Sequence, residues 1–246
     1  MRLLGSSLKT EKGLKQKIET YIMYLQPAGK ISKDTLCPNA VSSGCEEACL
    51  ISSGQLGMTT AQKAATKRTI LMLMRPIAFK HQILEEIDKA ERRATKTGIP
   101  ALFRLNGTSD IDFSGYIIAE RPGSQFYDYT KVLSRIRKNK YTNYHLTYSA
   151  SMFSVQSKAA LGKAVARGHS IAVAFNTKGL LSDNVIVPSA LASFDDTDLR
   201  PYDTHGTIGA LTRKGSNKAE RAQEGAHSFF VTADNVQEFN NIIARG

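Results

Sequence analysis

The chain has no tryptophan, and only three of its 246 residues are cysteine. All three fall in the stretch Cys37-Pro38-Asn39-Ala40-Val41-Ser42-Ser43-Gly44-Cys45-Glu46-Glu47-Ala48-Cys49, so a chain-wide disulfide framework is excluded. A chain of this length can bury a full core without such staples. No apolar run approaches the ~18 residues that suggest a membrane-spanning helix, and the first nine residues lack the apolar segment of a secretion signal. No membrane association is expected, and the expected compartment is the cytoplasm, where thiols stay reduced. There is no internal repeat and no low-complexity tract.

Acidic residues are also scarce, 22 against 33 lysines and arginines, giving a formal net charge of +11 and a pI near 9.6. Such a bias attracts polyanions, so a nucleotide or nucleic-acid partner is one expectation, and a charge that serves solubility alone is the other. Lys89, Arg92, Arg93 and Lys96 on one expected helix, and Lys131, Arg135, Arg137, Lys138 and Lys140 on another, are the candidate phosphate contacts.

The clustered thiols carry the sharpest chemical signal. Thiolates are soft ligands, and three around one point can hold zinc or three irons of a 4Fe-4S cluster, leaving one position open. The competing readings are a disulfide with a spare thiol, or three buried small hydrophobes. The Pro, Asn, Ser and Gly between the cysteines suit a turn-rich loop better than a core element.

Residues 1–18 read as a basic lead-in. The β-branched and aromatic run Ile18 to Leu25 predicts a first strand, ending at Gln26-Pro27. After the cysteine loop, Thr59 with Gln62 three residues on predicts a capping box opening a helix, which Pro76 interrupts or restarts and Gly98 ends. Further strands are predicted at 100–105, 125–129, 144–149 and 170–176, with a short one at 185–188 and the last buried strand at 207–211. Helices are predicted at 131–138 and 157–167. This alternation of strands with helical patterns predicts an α/β fold: a partial (β/α) barrel of about six mainly parallel strands, in one domain over 19–232, followed by a helical tail over 233–246.

In such folds the loops leaving the strands share one face and carry the sites. Five polar clusters would meet there: the cysteines; Asn106, Gly107, Thr108, Ser109 and Asp110 with Asp112; Asp128 with Tyr129 and Thr130; Ser149 to Ser151; and Asn176 with Thr177 and Lys178. Gly107 lets backbone approach a ligand closely. Asp110 and Asp112 suit a cationic amine, a ribose or helix capping. Asp195, Asp196 and Asp198 read as a solvated acidic turn, with Mg²⁺ binding as the alternative. The 212–219 loop is a weak candidate for a phosphate site. The five histidines form no metal-binding pair; His145 and His205 read as structural, with a fourth ligand or a proton carrier as the alternative.

The cysteine run, with Arg104-Leu105-Asn106-Gly107-Thr108-Ser109-Asp110-Ile111, Tyr127-Asp128-Tyr129-Thr130-Lys131 and Asp195-Asp196-Thr197-Asp198-Leu199-Arg200, resembles a family of bacteriophage proteins of unassigned function, over about residues 20–215. The order of first strand, three-cysteine loop, helix and second strand ending in a polar glycine motif is similar to that of the radical S-adenosylmethionine (radical SAM) superfamily. The spacing here is C-x7-C-x3-C, wider than that superfamily's common C-x3-C-x2-C, and Ala48 stands where an aromatic usually precedes the last cysteine.

The resemblance implies a 4Fe-4S cluster on Cys37, Cys45 and Cys49. It implies S-adenosylmethionine chelated at the open iron and cleaved to a 5'-deoxyadenosyl radical, an electron donor, and Asn106-Gly107-Thr108 at the methionine amine. The expectation is therefore a phage-encoded, radical-SAM-like enzyme in the host cytoplasm, acting on a nucleotide or nucleic acid, with candidate ligand residues Asn106 to Asp110, Asp128, Ser149 and Asn176. The alternative is a nucleic-acid-binding protein with a structural zinc or cluster on the same cysteines. A third expectation is a phage protein that binds or diverts a host factor.

Overall fold

The computed structural model describes residues 1–5, 14–27, 31, 36–52, 54–177, 179–180, 191–213 and 227–245. Its centre is an eight-stranded, mostly parallel sheet: β1 (Leu4–Gly5), β2 (Glu19–Met23), β3 (Ala101–Arg104), β4 (Gln125–Thr130), β5 (Tyr144–Ser149), β6 (Ile171–Phe175), β7 (Leu191–Ser193) and β8 (Ile208–Thr212). The spatial order is β1-β2-β3-β4-β5-β6-β8-β7. Only β1 runs antiparallel, pairing Leu4 with Met23.

From β2 to β6 each strand lies beside the one before it in sequence, parallel and in register, as in Ile22↔Arg104 and Tyr129↔Thr147. Parallel neighbours need long crossovers, and here α1 (Thr59–Met74) and α2 (Pro76–Thr97) lie between β2 and β3. The shorter α3 (Leu133–Lys138) separates β4 from β5, and α4 (Val155–Val165) separates β5 from β6. The sheet is open, with β1 and β7 at its edges.

Alternation along the strands gives the sheet two unlike faces. Tyr21, Met23, Phe103, Phe126, Tyr144 and Leu146 pack with Phe79, Ile83 and Ile87 of α2. Each such buried large side chain contributes about 1.5–3 kcal/mol. Farther along, Ile171, Val173, Phe175 and Ala210 pack with Leu161 and Ala164 of α4 and with Phe239 and Ile243 of α5 (Val236–Ala244). The opposite parity places Thr20, Arg104, Tyr127, Tyr129 and Thr147 on the other face, where polar groups are numerous.

Several expectations need correction. Among the described residues there are eight strands rather than about six, because β1 and β7 are too short to show a pattern. The lead-in is not wholly outside the fold: Leu3 and Leu4 are fully buried, and both backbone N–H groups donate to Glu86. Beyond the predicted strands, a single bridge, Phe175↔Val231, adds to the sheet, and Ser228 and Asn235 side chains take the neighbouring backbone groups. The expected capping box is not made. Met58 is the N-cap of α1 without a side-chain bond, and the Gln62 amide donates to the Leu56 carbonyl instead. Pro76 opens α2, and Gly98, at φ 68°, closes it with its N–H on the Ala94 carbonyl. The predicted strand at 185–188 lies outside the described residues.

Candidate functional site

The C-terminal ends of the parallel strands open into a cavity of about 380 Å³. Its walls include Ile22 from β2, Arg104 from β3, Tyr129 from β4, Ser149 from β5, Ala172 and Ala174 from β6, and Leu211 from β8. The small side chains on β6 make the room. Cys37, Cys45 and Cys49 all border this space, as do Asn106, Gly107, Thr108, Ser109 and Asp110.

The cysteine loop is sewn to three strand-end loops by short bonds. Toward β3, the Asp110 N–H donates to the Leu36 carbonyl at 2.8 Å, and Cys37 Sγ lies 3.7 Å from the Thr108 carbonyl oxygen. Toward β4, Asn39 Nδ2 donates to the Lys131 carbonyl at 2.9 Å. Toward β5, Ser151 and Ser154 hydroxyls donate to the carbonyls of Ser43 and Ser42. All three thiols are half-buried.

The Asn106–Asp110 loop owes its shape to buried polar groups. Asp128 accepts the Asn106 backbone N–H at 2.8 Å and its Nδ2 at 3.0 Å, while Asn106 Oδ1 accepts from Ser109 and from the Ile111 N–H. Burial raises the Asp128 carboxyl to about 6, against the lowering effect of the Asn106 bonds. Gly107 is demanded by contact: a Cβ there would lie 2.6 Å from the Tyr24 ring and 2.7 Å from the Met23 carbonyl oxygen. That carbonyl accepts the Gly107 N–H at 2.9 Å. Asp128 therefore stands behind the cavity as support rather than on its wall. Asn176 is likewise off the wall, its backbone bonded to Val231.

Sequence reading assigned no site role to Arg104, took Lys131 only as a surface phosphate contact, and read Asp198 as part of a solvated turn with Mg²⁺ binding as the alternative. Asp198 is buried instead of solvated, because Arg104 Nη1 reaches it at 2.8 Å and the Tyr127 and Tyr129 hydroxyls donate to it at 3.1 and 3.0 Å. Burial would push the Arg104 guanidinium down, but the adjoining Asp198 carboxylate holds it up; burial and the same carboxylate hold both tyrosines well above 10. A single arginine ending the apolar run Ala101-Leu102-Phe103 was the signal available for this pair. Asp195 is also engaged, accepting the Thr212 N–H at 2.7 Å. His145 lies on β5, with burial pushing its imidazole down; among the described residues its Nε2 has no hydrogen-bond partner.

Lys131 follows β4 directly. Its Nζ donates to Ser149 Oγ at 3.0 Å and to the Ser149 carbonyl at 3.2 Å, and sits 4.4 Å from the centre of the Phe229 ring. Burial lowers its pKa, while Cys45, Asp110 and Cys37 pull it back up. Of the cations proposed for phosphate contacts, Arg135 turns inward to pair with Asp110, and Arg93 pairs with Glu19.

As placed, the three thiols share one cavity wall, but among the described residues no three His, Cys, Asp or Glu side chains are gathered to hold a metal ion. In number and softness the donor set fits a three-thiolate group. Among the described residues no helix is long and apolar enough to cross a membrane.

An open, mostly parallel α/β sheet with a cysteine-bordered cavity at its strand ends defines a class of protein with a site where such folds bind ligands. The chain belongs to the gene product 88 family, whose model matches residues 3–228. Comparison with curated proteins and with solved structures gives no match for either.

Proposed function

We propose that this protein is an iron–sulfur enzyme of the radical SAM kind, working in the strand-end cavity on a nucleotide or nucleic acid. The observation that carries the reading is that Cys37, Cys45 and Cys49 border the same cavity as Asn106-Gly107-Thr108. The sequential parallel order β2 to β6 supports a partial barrel beneath that site.

In this reading Cys37, Cys45 and Cys49 would hold a 4Fe-4S cluster. The chemistry such a group supplies when bound is one-electron reductive cleavage of the sulfonium of S-adenosylmethionine. The remaining tasks fall to the chain. Asp128 fixes the Asn106 loop, which offers polar groups to the methionine end of the ligand. Leu50, Ile51, Leu56 and Phe230 give the cavity an apolar part of its lining.

The test is anaerobic reconstitution with iron and sulfide, followed by metal and acid-labile sulfide analysis. A visible charge-transfer band and iron that is lost in Cys45→Ala are expected. Protein that takes up no iron or sulfide, or the same amount after Cys45→Ala, sinks the reading; stoichiometric zinc without sulfide favours the structural-metal alternative. Nucleic-acid binding through the two basic helices is the weaker reading, because Arg93 and Arg135 are engaged in ion pairs.

A further inference from the structure

We propose that Lys131 anchors the phosphate of a small phosphorylated substrate in the strand-end cavity, on the side formed by β6, β8 and the Phe229–Phe230 pair. The proposal takes from the function proposed above only the location of the ligand. It rests on Lys131 and does not require a cluster.

The argument begins with charge. Lys131 Nζ lines the cavity, yet its hydrogen-bond partners are the neutral Ser149 hydroxyl and carbonyl, with the face of Phe229 beside them. Among the described residues no carboxylate forms an ion pair with it. The nearby Asp110 is spent elsewhere, one oxygen accepting the Lys131 backbone N–H at 2.9 Å and the other paired with Arg135. Of the two other acids bordering the cavity, Asp198 is taken by Arg104 and two tyrosine hydroxyls, and Glu46 makes no ion pair with Lys131 among the described residues. A desolvated ammonium with neutral partners is costly, and an incoming anion removes that cost. Two of its three N–H bonds go to Ser149, leaving one for a ligand oxygen.

The surroundings select the kind of anion. Arg213 also borders the cavity, its guanidinium 5.9 Å from the Phe230 ring centre, so the same space holds a second cation. Phe229 and Phe230 pack edge to face at 5.1 Å and both border the space. Two cations beside aromatic rings suit a dianion on a planar body better than a lone carboxylate, and a nucleoside monophosphate has that chemistry. Ala172 and Ala174 leave room for it on the sheet.

The experiment uses the full chain, purified without iron, in calorimetric titrations with the four common ribonucleoside monophosphates and with their parent nucleosides. At least one monophosphate should bind about tenfold or more tightly than its nucleoside, the scale of one charge-assisted hydrogen bond. Lys131→Met should erase that preference, Lys131→Arg should keep part of it, and the change Lys67→Met on the exposed side of α1 should leave it intact. Circular dichroism melting guards against loss of fold, and the Lys131→Arg protein supplies the answer if Lys131→Met does not fold. The proposal is overturned if no monophosphate outbinds its nucleoside, if the preference survives in Lys131→Met, or if Lys131→Arg abolishes it while folding normally. It is also overturned if Lys131→Met lowers iron uptake but leaves anion preference unchanged, since the ammonium then serves the thiolates. Failure of iron reconstitution alone leaves these titrations unaffected and bears only on the enzyme reading.

Discussion

Replacing Asp198 by Asn tests whether the polar face of the sheet is held by a buried ion pair. Asp198 and Arg104 side chains are 3% and 14% exposed, with 2.8 Å between Oδ2 and Nη1. Asn keeps the shape and removes the charge, so the guanidinium stays buried without its counter-ion. Breaking such a pair from one side costs about 3–5 kcal/mol. The Tyr127 and Tyr129 hydroxyls, which donate to the same carboxylate, add about 1 kcal/mol each where no acceptor replaces it. Since whole domains are stable by only about 5–15 kcal/mol, the loss should be plain in equilibrium urea unfolding. The double replacement Arg104→Met with Asp198→Leu removes both charges and should recover most of the loss, which separates the ion pair from a packing defect. Tyrosine titration followed by ultraviolet absorbance gives a second readout: without the carboxylate, Tyr127 and Tyr129 should ionise at lower pH than in the native protein. A cost below about 1 kcal/mol for Asp198→Asn, or a double replacement no more stable than the single one, would refute the reasoning.

Asp128 makes stability pH-dependent. Its carboxyl is raised by burial to about 6, above its ordinary value of 3.8, so the contribution is full below about pH 4 and is lost as pH rises through 6. The stability difference between native protein and Asp128→Asn should therefore shift in the native protein's favour as pH falls from 7 to 4; a constant difference across urea midpoints in that range contradicts this. Gly107→Ala forces a methyl to within 2.7 Å of the Met23 carbonyl, an atom held by the sheet, and should cost about 1–3 kcal/mol in unfolding free energy. It should also weaken ligand binding in the cavity, and a neutral effect in both measurements would show that the β2–β3 contact is looser than drawn. Ser154, whose Oγ accepts the Ser157 N–H at the start of α4 and donates to the Ser42 carbonyl, should cost about 1 kcal/mol on change to Ala, seen in thermal melting, and Ser154→Thr, which keeps both bonds, should restore it.

Much of the sheet was legible in the sequence because buried parallel strands are short apolar or β-branched runs. Ala101–Arg104, Tyr144–Ser149 and Ile171–Phe175 lie where the pattern places them, and Gly98 ends its helix as expected. The edges were not legible: two or three residues such as Leu4–Gly5 and Leu191–Ser193 carry no period, and their assignment depends on the partner strand. Asp198 illustrates the same limit within the site. In sequence it is one of three acids in a turn; in space it meets an arginine ninety-four positions away, and nothing local encodes that pairing.

The sequence by itself determined the α/β class, the run of parallel strands and the single loop holding every thiol, since periodicity and composition are local properties. The tertiary structure decided which strand-end loops meet. It brought Cys37 to Thr108, Asn39 to Lys131 and Ser43 to Ser151. It also left Asp128 as a buried support and made Lys131 an ammonium facing the cavity with neutral partners. The physical reason is that sheet register and side-chain alternation together choose the face on which a residue emerges, and only long-range pairing fixes register.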